Sequence, residues 1–166
     1  TGAFAGSNGN VDGSATSGKV YVAVGGILQT QGANAIGIFA QSDSGQSNGQ
    51  VDIVTTADIV GGSGTQGAGV HVDEGNSTNV LTIEAGGSVT ALSGNAIVYT
   101  GGATLTTNNA GDVQANVDLR NDVDFLGLFN NQSGGRLFAG TLIDAQLENR
   151  GLFVVGLGNG GLETTV

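Results

Sequence analysis

The sequence predicts an all-β chain folded as a parallel β-helix, a β-solenoid of about six coils. Three observations predict it: an internal repeat, a composition rich in glycine and without proline, and alternation of apolar with polar residues. The repeat is a β-type run, a Gly-rich corner, a short apolar run, a polar turn and a third run, and it occurs at 20–39, 51–72 and 80–99. A repeat of ~30 residues without helical periodicity is typical of a solenoid, because one unit cannot bury its apolar face alone.

Composition agrees with such a fold. The 166 residues include 32 glycines and no proline. Proline removes a hydrogen-bond donor from the ladder, so a chain paired above and below has few places for it, whereas glycine suits corners with φ > 0. Hydrophobic residues make up 39% of the chain and aromatic residues only 5%, which predicts a narrow core of Val, Ile, Leu and Ala.

Alternation indicates which side chains point inward. In VQANVDLR at 113–120 the apolar side chains occupy every second position, and a shift by one residue would bury Asp118 and Arg120. No window shows a sustained 3.6-residue apolar period, so almost no helix is expected. The residues predicted to lie inside are Val20, Val22, Val51, Ile53, Leu81, Ile83, Val117 and Leu119.

The chain is expected to be one β-helix fragment over 1–166, since no linker or composition break divides it. We expect longer coils of about 30 residues over 1–112 and shorter C-terminal coils over 113–166. The shortening is indicated by LFNNQSGGRLFAG at 128–140 and its echo LENRGLFVVG at 147–156, which aligns Asn130 with Asn149. In the longer repeats the matched alanines are Ala35, Ala68 and Ala96.

Both ends are predicted to be exposed cross-sections of the solenoid. GAFAGSNGNVDG at 2–13 resembles GIFAQSDSGQSN at 37–48 and aligns Phe4 with Phe39, so the chain should begin inside a coil. Terminal coils expose unpaired backbone groups and an apolar cross-section. We therefore expect end-to-end self-association, or a terminal segment folded over the opening.

Charge and composition exclude several classes of function. The formal net charge of −10 repels nucleic acid and anionic lipid, so neither is an expected partner. Cysteine is absent, which excludes disulfides and thiol chemistry. No run approaches the ~18–20 apolar residues of a membrane helix, and the start lacks signal-peptide features. The absence of Met and Cys suits an exported surface protein.

The last third of the chain carries a family resemblance. NVDLRNDVDFLGLFNNQSGGRLFAGTLIDAQLENRGLFVVGLGNGGLETTV at 116–166 resembles the end of an autotransporter passenger domain. ANAIGIFAQS and GNAIVYTGG upstream are similar to the coils of pertactin-like passengers, so the resemblance covers most of the chain. At DLRNDVDFLG the sequence departs from the family, which often has a Gly-rich loop there, because Arg120, Asp122 and Asp124 make it charged.

The resemblance implies a right-handed parallel β-helix on the surface of a Gram-negative bacterium, or secreted from it. Export would depend on a C-terminal translocator barrel in the outer membrane, which this chain lacks. Passenger domains of this kind act in adhesion and virulence, and their partners are proteins or glycans of host or neighbouring cells.

Two kinds of Gly-rich motif resemble binding motifs for a dinucleotide or for calcium. GSGTQG at 62–67 and GLGNGG at 156–161 both satisfy G-x-G-x-x-G, but neither precedes a predicted helix whose N-terminus would hold a pyrophosphate. GGSGT at 61–65 approaches a calcium repeat, yet Thr65 replaces the required Asp and the motif does not recur. Corners of the solenoid explain both, and no cofactor or metal is expected.

Two groups of titratable residues are candidate catalytic sites. His71, the only histidine, shares a strand face with Asp73 but lacks a nucleophile or second His; its alignment with Ile38 and Tyr99 favours a structural role. The pair Asp122 and Asp124 suits polysaccharide cleavage, which some β-helices perform. Against this, the only cations are Lys19, Arg120, Arg136 and Arg150, too few to hold an anionic sugar chain.

Asparagine and threonine suggest further arrangements. Asn34 and Asn95 occupy similar places, with Gly67 between them, so amide stacks are expected only locally. TLTT at 104–107 resembles one rung of an ice-binding threonine array but is not repeated. The N-x-S/T sequons at Asn76 and Asn131 are expected by chance and predict no glycan.

Two functional hypotheses remain. The first is a non-enzymatic adhesin or stalk that displays a recognition surface on the cell. The second is a carbohydrate-active β-helix, a polysaccharide lyase or hydrolase. Acidic and basic residues are scattered along the sequence and not gathered on one outer face, which favours the first. We expect no catalytic residues, and the sequence leaves the ligand-binding residues unassigned.

Overall fold

The computed structural model describes the backbone of residues 3–8 and the backbone and side chains of residues 16–155. These residues form fifteen β-strands and no helix. They therefore contain no helical segment that could cross a membrane. The strands are β1 (Ala3–Asn8), β2 (Val20–Val24), β3 (Leu28–Gln29), β4 (Ile36–Asp43), β5 (Val51–Thr55), β6 (Asp58–Gly61), β7 (Ala68–Glu74), β8 (Asn79–Ile83), β9 (Ser88–Thr100), β10 (Leu105–Asn109), β11 (Asp112–Asp118), β12 (Leu128–Asn131), β13 (Arg136–Asp144), β14 (Gln146–Asn149) and β15 (Leu152–Val154).

The strands stack into two parallel sheets. Sheet 1 has six strands in the order β14-β12-β10-β8-β5-β2. Sheet 2 has nine: β1-β4-β7-β9-β11-β13-β15 along its main path, with β6 paired to β3 and β9. Among the described residues the chain passes from a strand of sheet 1 to one or two strands of sheet 2 six times, and it returns to sheet 1 one rung further along five times. The prediction of an all-β parallel β-helix of about six coils is confirmed.

The coils shorten along the stack. In sheet 1 the sequence distance between Cα partners falls from 31 to 28, 26, 22 and finally 18 residues. The corresponding pairs are Val20–Val51, Ile53–Leu81, Leu81–Thr107, Thr107–Phe129 and Phe129–Leu147. The strands of sheet 1 keep similar lengths, so the change arises on the side of sheet 2.

An outward arch in the early coils accounts for part of the difference, and the turn 119–127 between β11 and β12, which shrinks to Ala145 alone between β13 and β14, accounts for another part. In the second coil β6 and β7 are separate strands joined by the loop 62–67. The next coil crosses the same region with one 13-residue strand, β9, which pairs with both β6 and β7. One coil later only a bulge at Ala115–Val117 remains in β11, with Ala115 at φ 129°. The arch builds a wall on the outer face of sheet 2.

The interior agrees with the predicted alternation. Of the eight residues expected inside, seven are at most 6% exposed, and only Val22 is partly buried. Val22 lies on β2, which among the described residues has a strand neighbour on one side only. The core also holds two aromatic side chains that the pattern did not predict, Tyr99 and Phe129.

Tyr99 remains buried because its hydroxyl is hydrogen-bonded. The hydroxyl donates to the Glu74 carbonyl at 3.1 Å and accepts from the Ala103 N–H at 3.1 Å. Burial, the largest influence, raises the pKa of Tyr99 to about 12. A buried phenol whose hydroxyl both donates and accepts a hydrogen bond is compatible with an apolar core.

Three sequence alignments are wrong by one residue. Ala68 pairs with Ile36 and not with Ala35, and Asn149 pairs with Asn131 and not with Asn130. Because successive side chains alternate between faces, a slip of one residue exchanges inside and outside. The predicted alignment of Phe4 with Phe39 is confirmed.

The third slip concerns His71. Its Cα partners are Phe39 in β4 and Val98 in β9, and not Ile38 and Tyr99 as aligned from the sequence. Ile38 and Tyr99 point into the core. His71 therefore lies on the outer face of sheet 2, beside the wall made by the arch.

Candidate functional site

A cleft on the outer face of sheet 2 combines apolar, aromatic and amide side chains. It has a volume of about 440 Å³. We call it the outer cleft, and its lining residues are Ile36, Phe39, Thr65, Gln66, Gly67, His71, Asn95 and Val98. It crosses three successive coils, because its floor comes from β4, β7 and β9.

The floor of the outer cleft follows from strand register. Phe39, His71 and Val98 are Cα partners in successive strands, so they stand side by side about 4.8 Å apart. Each is half-buried and alternates with fully buried neighbours that face the core. The Phe39 and His71 rings meet edge to face, with centroids 5.2 Å apart.

The wall is the loop 62–67, which hydrogen bonds hold in place. The Gly67 N–H donates to the Gly64 carbonyl at 3.1 Å, and the Gln66 N–H donates to Asn34 Oδ1 at 3.2 Å. From the next coil, the Ser93 hydroxyl donates to the Gly67 carbonyl at 2.7 Å. Gly64 has φ +86°, a conformation that L side chains rarely adopt. The wall is thus anchored to the coils on either side of it.

His71 belongs to a hydrogen-bonded chain beside the floor. Its Nε2 lies 2.9 Å from Thr100 Oγ1, and the Thr100 hydroxyl donates to Asp73 Oδ1 at 2.7 Å. Gln41 Nε2 donates to the other carboxylate oxygen of Asp73 at 2.6 Å. Since the hydroxyl hydrogen of Thr100 points to a carboxylate, Nε2 must be the donor in its bond to Thr100.

This direction of donation argues against activation of the Thr100 hydroxyl by His71. A base that activates a hydroxyl must accept its proton, whereas His71 donates to Thr100. Burial, opposed by the nearby Asp73 carboxylate, lowers the pKa of His71, so the imidazole is neutral near pH 7. The remaining nitrogen, Nδ1, is then an acceptor, and no described residue donates to it.

Glu74 lies at the end of β7 among other carboxylates. Its carboxylate accepts a hydrogen bond from Asn48 Nδ2 at 3.3 Å, and its backbone has φ 60°. Burial is the main influence that raises the pKa of Glu74, and the charges of Asp43, Asp73 and Asp122 add to it, while a hydrogen bond from the Gly102 backbone opposes them. Ionisation of Glu74 is therefore less favourable in the folded chain than in the unfolded chain.

We expect Glu74→Gln to stabilise the chain near neutral pH. The folded-state pKa of Glu74 is raised above its ordinary value of 4.5, so stability falls as pH rises through the window between the two values. The gain should be only a few tenths of a kcal/mol, because the group is partly solvated, and it should vanish below about pH 4. Thermal unfolding of both forms from pH 3.5 to 8 measures it. Glu84→Gln, an equal charge change at an exposed position, is the matched control for the loss of one negative charge. A gain for Glu74→Gln that persists at pH 3.5 contradicts the explanation.

The charged turn at 118–127 is a salt-bridged surface feature. Arg120 donates from Nε and Nη2 to the two carboxylate oxygens of Asp144, at 2.7 and 2.9 Å. Asp124 lies 3.5 Å from Arg120 Nη1, and both Asp122 and Asp124 are exposed. Asn121 holds the turn, because its side chain accepts from Phe125 N–H at 2.7 Å. The two aspartates face solvent, and they do not line either cavity described here.

A second groove follows the corner between the sheets. It has a volume of about 520 Å³ and is lined mainly by small residues, including Gly86, Gly87, Ala110 and Gly111. Four of its polar side chains are paired across coils. Ser88 Oγ donates to Asp58 at 2.7 Å, and Arg136 forms a two-pronged ion pair with Asp112. The pairs stabilise neighbouring coils and leave no unpaired cation in the groove.

All four cations of the chain are in ion pairs. Three of them join successive coils: Lys19 to Asp52 at 2.8 Å, Arg120 to Asp144, and Arg136 to Asp112. Arg150 lies 3.9 Å from Glu148 within one corner. Each positive charge is thus partly offset by a neighbouring carboxylate.

The sequence missed the internal asparagine ladder. Asn109, Asn131 and Asn149 are stacked at one corner, with Asn109 Nδ2 donating to Asn131 Oδ1 at 2.8 Å and Asn131 Nδ2 donating to Asn149 Oδ1 at 2.7 Å. Asn109 and Asn131 are fully buried. Amide stacks expected only near Asn34 and Asn95 thus extend over three coils elsewhere. The available signal was an Asn followed within four residues by Gly at the end of each sheet 1 strand, in NNAG, NNQSGG and ENRG.

Other motifs have structural roles. The loop GSGTQG at 62–67 leads into strand β7 and not into a helix, while GLGNGG at 156–161 lies outside the described residues. TLTT at 104–107 is no flat array, because Leu105 and Thr107 are buried. Asn131, one of the two sequons, is inaccessible to a glycan. Within 3–8 and 16–155 no group of three or more His, Asp or Glu side chains could hold a metal ion.

No protein-family model, curated protein or solved structure matches this chain. The resemblance to autotransporter passengers therefore stays a prediction from its residues. Function has to be argued from the described surface.

Proposed function

We propose that this chain is part of a non-enzymatic cell-surface β-helix of an autotransporter, acting as an adhesin or as a stalk that displays a recognition surface. The observation that carries the proposal is the state of the reactive side chains. Every cation is in an ion pair, and the single histidine donates to Thr100. An enzyme of this fold that cleaves acidic polysaccharides would need cations for its substrate and an acid and a base that meet at one bound sugar.

The stack also suits display. The strands pair through their backbones, and the core is packed with the inward side chains. Outward side chains can therefore vary without loss of the core. Each coil presents its outward residues in rows, which makes a long surface from a short repeat. The proposed location is the surface of a Gram-negative bacterium, or the medium after release. The proposed partners are a protein or glycan of a host or neighbouring cell and, in the full-length protein, a C-terminal translocator barrel.

A depolymerisation assay separates this proposal from a carbohydrate-active β-helix. Purified chain is incubated with neutral and acidic polysaccharides, and reducing ends and unsaturated uronides are measured. We expect no product above that of heat-denatured chain, whereas beads coated with native chain adhere to cells and beads with denatured chain do not. Product that disappears in Asp122→Asn or Asp124→Asn would contradict the proposal and support the enzyme.

We also expect the isolated chain to associate as its concentration rises. Among the described residues, β2 and β14 each have a strand neighbour on one side only, so both can accept a further parallel strand. The charge of −10 opposes contact weakly, since it is screened beyond ~8 Å at physiological salt. Sedimentation velocity over a hundredfold concentration range measures the association. A single monomeric species at every concentration would show that the strand edges are covered.

A further inference from the structure

We propose that the outer cleft binds a neutral sugar residue of a surface glycan. This inference rests on the proposed function and deepens it, because it gives the recognition surface a location and a ligand class. It is argued from the floor, the rim and the charge of the cleft.

The floor offers an aromatic and aliphatic surface that spans three strands. Phe39, His71 and Val98 stand in one row across three strands, and Ile36 lines the cleft three residues before Phe39 on the same strand, β4. A pyranose has C–H groups on one face, and such a face packs on aromatic and aliphatic side chains with release of water. The volume of about 440 Å³ lies within the range of pockets that hold small ligands.

The rim offers donors and acceptors together. Gln66 is exposed on the wall, with its backbone N–H fixed by Asn34, and its side-chain amide supplies both N–H and C=O. Asn95 holds the wall from the far side, donating weakly to the Thr65 and Gly67 carbonyls at 3.4 Å. His71 Nδ1 adds an acceptor, since Nε2 is occupied by Thr100. A sugar hydroxyl both donates and accepts, so it suits this mixture.

The charge of the cleft selects a neutral ligand. No lining residue is a cation or an anion. The charged group in the hydrogen-bonded chain beside the floor is the Asp73 carboxylate, which accepts from Thr100 and Gln41. A uronic or sialic acid would find no counter-ion here and would be repelled by a chain of net charge −10. A neutral hexose or deoxyhexose needs no counter-ion and is not repelled by the negative charge.

The cleft is preformed, which lowers the cost of binding. The wall is tied to the coil before it by Asn34 and to the coil after it by Ser93 and Asn95. The floor residues stand on strands paired on both sides. Little side-chain or loop order has to be gained when a ligand enters.

Saturation-transfer NMR on the intact chain tests the proposal. The probes are the methyl glycosides of glucose, galactose, mannose, fucose and N-acetylglucosamine, with glucuronic and N-acetylneuraminic acid as acidic comparisons. We expect transfer to at least one neutral glycoside and none to the acids. Phe39→Ala and Gln66→Ala should each weaken the binding by about tenfold. Phe138→Ala, an outward aromatic of β13 that does not line the cleft, should leave binding unchanged.

Each result decides the question. Absence of transfer to every neutral glycoside, equal transfer to the acids, or full binding by Gln66→Ala overturns the proposal. Gln66 is exposed on a loop, so its replacement tests the site even if Phe39→Ala fails to fold. Bead adhesion measured in parallel separates the two claims. Beads with Gln66→Ala that still adhere to cells overturn the cleft as the adhesive site and leave the adhesin proposal standing.

Discussion

Asn131→Ala should destabilise the chain by about 2–4 kcal/mol, one of the two largest effects expected of a single substitution. Asn131 is fully buried and accepts from Asn109 while donating to Asn149 and to the Leu152 carbonyl at 3.0 Å. Its loss leaves polar groups of two coils without a partner and opens a small cavity. The shift of the midpoint in urea at constant slope measures the change.

Asn130 provides a matched control one residue away. It lies on the outer face, where Nδ2 donates to Asn108 Oδ1 at 3.1 Å, and its own Oδ1 is buried without a partner. Removing that unsatisfied atom offsets the lost bond, so Asn130→Ala should change stability by less than about 1 kcal/mol. Equal costs at the two positions would contradict the assigned inward and outward faces.

Gly69→Ala should destabilise the folded chain by about 3 kcal/mol, because a new methyl group has no space between β7 and β9. A Cβ at Gly69 would lie 2.7 Å from the Thr90 carbonyl oxygen and 2.8 Å from that of Ala96. Both atoms belong to the backbone of β9, so no side-chain rotation relieves the clash. Thermal unfolding and the loss of native-state dispersion in NMR spectra measure the effect.

Gly102→Ala is the control for glycine replacement. A Cβ at Gly102 would meet nothing within 4 Å, and its φ is not in the region that disfavours side chains. We expect a change within about 0.5 kcal/mol. A tolerated methyl group at Gly69 would show that β7 and β9 do not approach as closely as described.

The fold could be predicted from the sequence because repeat and alternation are properties of the chain itself. The alternating run at 113–120 specifies its faces, and Val117 and Leu119 are indeed buried. Corner lengths are less well specified. Corners of similar composition absorb one residue more or less, so alignments anchored on Ala68 or Asn149 slip by one position. A slip leaves the fold recognisable and assigns the wrong face to single residues.

The outer cleft could not be predicted, because it depends on the exact register between strands. The sequence placed His71 beside Ile38 and Tyr99, whereas register places it beside Phe39 and Val98. The wall at 62–67 was recognised as a Gly-rich corner, but its position above the floor follows from the pairing of β9 with both β6 and β7. Contacts between coils are long-range, and no local pattern encodes them. The same reason hid the internal ladder of Asn109, Asn131 and Asn149.

Hydrogen exchange followed by mass spectrometry on the native chain tests most directly that it is one continuous parallel stack presenting its arch and turns outward. The account predicts slow exchange in the central strands of sheet 1, β5, β8, β10 and β12, and in β7, β9 and β11 of sheet 2, since each is paired on both sides. Fast exchange is predicted at 85–86 and 133–134, exposed corner turns that lie outside the paired strands. Exchange of the central strands at the rate of unstructured peptides, or protection confined to one half of the chain, would contradict it.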